Sequence, residues 1–198
     1  MVGTIVPIVH GEREAHRMIL ADLAHTAGLV IAGMAVGYLL SAGLDAAGLR
    51  LALEEKGLAM AVLSGTFALG DTRLVRVPMP QLQRQVPAAW RGQYPPRVAA
   101  LLYGLALGPG LLTHIRTGAY YVLLALVALL QEPVIGSAML GAYGLWRGLP
   151  VIYFGRKHMD IERTFHTNHA LAPWEPMFGV LSGLLLAFAF GYFLAWIA

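Results

Sequence analysis

Long apolar runs constrain this chain more than any other feature. The cleanest is Met177–Ile197, 21 residues without a formal charge. A helix needs roughly 17–25 such residues to cross the hydrocarbon of a bilayer. Ala21–Gly43, Leu51–Gly70 and Val134–Phe154 are of similar length and carry few charges: Asp22 opens the first, Glu54, Glu55 and Lys56 crowd the second, and Arg147 stands alone in the third. The chain is 58% hydrophobic and 13% charged, where soluble domains have about 45–50% and roughly 25%. This composition excludes a disordered chain, a nucleic-acid binder and a typical soluble enzyme. It predicts an all-α fold: a single polytopic membrane bundle of about five helices with lipid as solvent.

Val98–Leu130 is too long for one straight crossing, at about 50 Å of helix against about 30 Å of hydrocarbon. Gly108-Pro109-Gly110 interrupts it. Proline lacks the amide donor and clashes with the preceding turn, and glycine loosens the backbone. The expected element is one discontinuous helix over 98–130. Positive charge supports five crossings, at 21–43, 51–70, 98–130, 134–154 and 177–197. Of 14 Lys and Arg, ten then fall on one side, in the N-terminal segment and the loops 71–97 and 155–175. Arg50 and Lys56 fall on the other side, and Arg116 and Arg147 within the membrane. By the positive-inside rule the N-terminus is cytoplasmic, the C-terminus lies opposite, and a bacterial inner membrane is the expected location. Val2–Val9 is too short and lacks the basic flank of a secretory signal.

Gly33/Gly37, Gly104/Gly108, Gly144/Gly148 and Gly179/Gly183 have the spacing that lets membrane helices approach closely. The ordinary expectation is packing within one fold. With no cysteine in the chain, disulfides, thiolate metal sites and dithiol redox chemistry are excluded.

The basic loop Pro80–Pro87, the approach Tyr103–Gly110, the segment Thr113–Gly118 and the span end Ala142–Pro150 follow one another in an order that resembles the second half of the CcdA/DsbD-type membrane domain. That family passes reducing equivalents across membranes for cytochrome c biogenesis and thiol reduction. The resemblance implies the bundle fold with a broken helix, in a diverged form that lacks the first helix. The redox cysteine of the break is missing here, with His114 or Ile115 near its place. A dithiol relay is therefore not expected.

Several polar groups stand out. A charge in hydrocarbon costs at least about 2.5–3.5 kcal/mol, so it needs a partner or water. His114 and Arg116, with Thr113, Thr117 and Pro109, form a candidate substrate or ion site at the break. Arg147, Arg156 and Lys157 are candidate contacts for lipid headgroups or a partner, and a carboxylate such as Asp71 is another possible mate for Arg147. Asp22 and His25, three apart, share a helical face, where a proton relay competes with an ordinary helix start. His158, His166 and His169 are candidate metal ligands, although their spacing matches no standard motif. No catalytic motif is present, so no enzyme is expected. Three roles remain: an accessory subunit of a larger membrane complex, a small transporter working through the broken helix, and a b-haem or metal-binding electron-transfer subunit in which His25 and His114 are the plausible haem ligands. The first is the leading expectation, with the bilayer and other membrane subunits as partners, no nucleic acid and no required cofactor.

Overall fold

A computed structural model describes residues 12–79, 86–87, 89–110, 117–157 and 174–197. The regular structure among them is all helical: α1 (Glu12–Ala46), α2 (Leu53–Asp71), α3 (Trp90–Gln93), α4 (Pro96–Leu107), α5 (Ala119–Leu130), α6 (Pro133–Lys157) and α7 (Glu175–Ile197). Two segments, Ile19–Ala46 and Pro176–Ile197, are long and apolar enough to cross a membrane. Five crossings are therefore not carried by length and apolarity alone. α4 and α5 have 12 residues each, about 18 Å apiece at 1.5 Å per residue. α2 and α6 have the length, but Glu54, Glu55 and Lys56 in α2, and the glycines, Pro150 and Arg147 in α6, make them less apolar.

The helix ends differ from expectation where charge and helix propensity part company. α1 begins at Glu12, nine residues before Ala21. The charged stretch Glu12–Arg17 ends the apolar run, but it holds no glycine or proline and continues the helix. At the start of α2, the Glu55 carboxylate accepts the Ala52 N–H at 2.8 Å, which satisfies an orphan donor of the first turn. Lys56 Nζ donates to Gln131 Oε1 at 2.9 Å, and Gln131 Nε2 donates to Leu49 O at 2.6 Å. The charges that crowd the second apolar run thus serve its entry. Gln131 ends α5 in the left-handed region, at φ 57°.

The chain divides into two compact units. The first comprises the described residues of 1–36, 82–114 and 137–173, and the second those of 37–81, 115–136 and 174–198. In the first, α1 is in backbone contact with α4 and α6. A Cβ on Gly28 would lie 2.5 Å from Leu101 O, and one on Gly108 would lie 2.6 Å from the Ala32 Cβ. A Cβ on Gly104 would run into His25 O, and one on Gly33 into Leu140 O. One on Gly144 would meet Leu29 O at 2.5 Å, and one on Gly148 would strike Thr26. This succession makes α1 parallel to α4 and antiparallel to α6.

In the second unit, α2 lies antiparallel along α7. A Cβ on Gly57 would meet Ile197, one on Gly65 would meet Phe190, and one on Gly183 would meet Thr72. α5 packs against both helices, and Met60, Phe67, Ala68, Val122 and Leu186 form the core. The small-residue spacing read from the sequence is used inside the fold.

Gly104→Ala should therefore cost on the order of 1–3 kcal/mol, as overpacking does. Gly43→Ala, where a Cβ meets nothing within 4 Å, should leave stability unchanged or slightly raised. Thermal melting of both variants in detergent checks this, and equal melting temperatures would contradict the packing.

Candidate functional site

The helix stops inside an apolar stretch. α4 ends at Leu107, Gly108 N–H still donates to Gly104 O at 2.8 Å, and Gly110 N–H turns back to Leu107 O at 3.1 Å. Gly110 has φ +71°, which glycine adopts without steric cost, and Pro109 has no N–H to continue the ladder. Such an end leaves carbonyls to be satisfied and a partial negative charge.

Within the first unit, Arg147 answers that need. Its Nη1 donates to Leu107 O at 3.0 Å, and its guanidinium lies 5.8 Å from the centre of the Tyr143 ring, one turn earlier on α6. A cation at a helix C-terminus has the favourable sign. Asp22, His25 and Thr26 are buried on α1. Thr26 Oγ1 donates to Asp22 O at 2.9 Å and to Gly148 O at 3.4 Å. His25 Nδ1 lies 3.3 Å from Ala100 O.

Within the second unit, the chain resumes as α5 with Gly118 at its N-cap. Gly118 N–H donates to Asp71 Oδ1 at 2.8 Å and Oδ2 at 2.9 Å, and Ser182 Oγ donates to Oδ2 at 2.6 Å. Asp71 is 6% exposed. An anion at a helix N-terminus again has the favourable sign. Phe67, one turn before Asp71, abuts Gly118 and stacks on Tyr121 with ring centres 5.5 Å apart. Ser182 lies six residues beyond Pro176, about 9 Å along the helix. The carboxylate is therefore level with the body of α7, not with its end.

The residues named from the sequence fare differently. Pro109 is in the turn after α4, and Thr117 is half-buried just before α5. Arg156 and Lys157 close the last turn of α6. Thr113, His114 and Arg116 lie outside the described residues, as do His158, His166 and His169. Among the described residues, no three His, Asp or Glu side chains gather as a metal site would require. Arg147, read as a lipid or partner contact with Asp71 as another possible mate, is half-buried on the Leu107 carbonyl. Asp71 itself binds Gly118 and Ser182. The Asp71–Ser182 pair was missed because it depends on α2 and α7 lying antiparallel across 111 residues of sequence.

Comparison with known proteins finds relatives described as methylamine utilization protein MauF. The one from Paracoccus versutus is 30% identical over 151 residues, 76% of this chain and 55% of the relative. The one from Methylorubrum extorquens is 32% identical over 138 residues, 67% of this chain and 45% of the relative. The one from Methylophilus methylotrophus is 28% identical over 132 residues, 65% and 44% respectively. The chain spans about half the length of the curated relatives it matches. No family model and no solved structure matches. These findings overturn the resemblance to the CcdA/DsbD-type domain. The motifs behind it are largely glycine and proline around a helix interruption, residues that commonly break helices, and the cysteine that would make them specific is absent.

Asp71→Ala should leave the Gly118 amide and the Ser182 hydroxyl without their shared acceptor, at about 1–3 kcal/mol each. Ser182→Ala should cost less, because Asp71 keeps Gly118. A melting series in detergent with this order supports the cap; wild-type stability of Asp71→Ala contradicts it.

Proposed function

We propose that this chain is a non-catalytic, membrane-embedded accessory protein of amine utilization, seated in a larger membrane assembly. Its similarity to the MauF proteins across two thirds to three quarters of its length carries the reading. Physical features support it. α7 exposes Leu181, Leu184, Leu185, Phe188 and Tyr192, an apolar surface of the kind that calls for lipid or a partner. Arg147 and Asp71 serve as helix caps, each within its own unit. Structural use of both suits a scaffold better than a catalyst.

In this reading the chain crosses a bacterial inner membrane five times, with the basic loops on the cytoplasmic side. The Gly108-Pro109-Gly110 turn at the end of α4 also favours a second reading, transport of a small ion or solute. No cofactor is required in either case.

Deleting the gene in its host tests the first reading. Growth on methylamine as sole nitrogen source should fail or slow markedly, growth on ammonium should persist, and the intact gene should restore growth. Equal growth of mutant and parent on methylamine would contradict it.

A further inference from the structure

Within the second unit, α2 ends in a hydrogen-bonded turn. Arg73 N–H donates to Gly70 O at 3.0 Å, Leu74 N–H to Leu69 O at 3.0 Å, and Val75 N–H to the same Leu69 O at 3.1 Å. The first two bonds define the helix-ending turn whose residue after the cap is left-handed, a place usually held by glycine. Arginine holds it here, at φ +62°. Left-handed backbone is unfavourable for a residue with a side chain, and such outliers gather where function requires them. The next residue ordinarily packs back onto the last helical turn, yet Leu74 is 74% exposed and Val75 51%. Arg73 and Arg76 flank this apolar pair and are both exposed. Among the described residues, neither guanidinium has a hydrogen-bond or ion-pair partner.

We propose that the Arg73–Arg76 turn is a headgroup site for anionic phospholipid: the two guanidinium groups take the phosphate, and Leu74 and Val75 enter the acyl boundary beside it. This rests on the membrane-embedded reading and adds a ligand to it. Position favours lipid over an acidic protein segment. A Cβ on Gly183 of α7 would meet Thr72, and Gly183 lies seven residues beyond Pro176, where the apolar stretch of α7 begins, about 10 Å along the helix. The turn is therefore rooted level with the apolar surface of α7, where Leu181 and Leu184 are exposed. Charges rooted at that depth need an anion or a route to the headgroups, and the aliphatic stem of arginine supplies the reach. The chemistry is complementary, because the planar guanidinium matches phosphate oxygens. The nearest carboxylate in sequence, Asp71, is buried on Gly118 and Ser182, and no acidic residue follows it before Glu132.

Electron spin resonance of the full chain in phosphatidylcholine bilayers, with trace spin-labelled phosphatidylglycerol or phosphatidylcholine, reads lipid selectivity directly. The wild type should favour phosphatidylglycerol several-fold, and less so at high salt. Arg73→Gln/Arg76→Gln should lose most of that preference, and Arg97→Gln, also exposed, should lose little. Arg73→Gly should lose part of it while melting no lower than the wild type, because glycine suits φ +62°. Four results overturn the proposal and leave the membrane reading standing: a wild type without preference, as an acidic protein segment for occupant would give; equal selectivity in wild type and double variant; an equal loss in Arg97→Gln; or an Arg73→Gly that melts lower with selectivity unchanged. A chain that does not enter bilayers overturns both.

Discussion

Large apolar side chains left exposed, with polar groups buried beside an apolar core, are the constraint on which the rest of this structure depends. Phe188 is 77% exposed, and Leu39, Leu185 and Trp146 are also largely exposed, while Asp22, His25, Thr26, Ser41, Ser64, Asp71 and Ser182 are buried. Apolar surface of this extent calls for lipid or a partner. With apolar surroundings, every inward polar group must be answered from within. Ser41 Oγ donates to Val127 O at 2.8 Å, and Ser64 Oγ donates to Met60 O on its own helix. Between apolar faces in lipid there is no hydrophobic drive, so close approach must do the work. The glycines that bring α1 onto α4 and α6, and α2 onto α7, supply it.

The same constraint explains the charges. A helix that ends in apolar surroundings exposes carbonyls at one end and amides at the other, with partial charges of opposite sign. Arg147 meets the carbonyl end of α4 and Asp71 meets the amide end of α5, each within its own unit. Such a match is worth about 0.3–1 kcal/mol at exposed ends and up to about 2 kcal/mol when partly buried. Here it also removes an unpaired backbone group, which costs more than the dipole term alone. A charge that the sequence offers as a lipid or partner contact, as Arg147 does, can thus serve the end of a neighbouring helix.

How far the sequence reveals this depends on the range of the interaction. The interruption at Gly108-Pro109-Gly110 is visible because proline and glycine act on their own backbone. Ala21–Gly43 and Met177–Ile197 become helices because apolarity over that length leaves little alternative, and Gly104 and Gly144 are recognisable as contacts from spacing alone. The upstream extension of α1 is hidden in the sequence because the end of an apolar run need not be the end of a helix. Asp71 with Ser182, and His25 with Ala100, were hidden because their meeting depends on which helices pair and in which direction. The reading of family was misled for a related reason: local backbone chemistry recurs in unrelated proteins, whereas similarity along most of the chain points to the methylamine utilization proteins.

Lipid as the solvent of α7 is the claim that everything else presupposes, and the cysteine-free chain accepts single spin labels without interference. Labels placed one at a time at Leu184, Phe188 and Tyr192 in reconstituted bilayers, with collision by dissolved oxygen compared against collision by a water-soluble nickel complex, measure it most directly. The account predicts oxygen dominating at all three positions, most strongly at 188 near the middle of the helix. Dominant nickel access at 188 would contradict it.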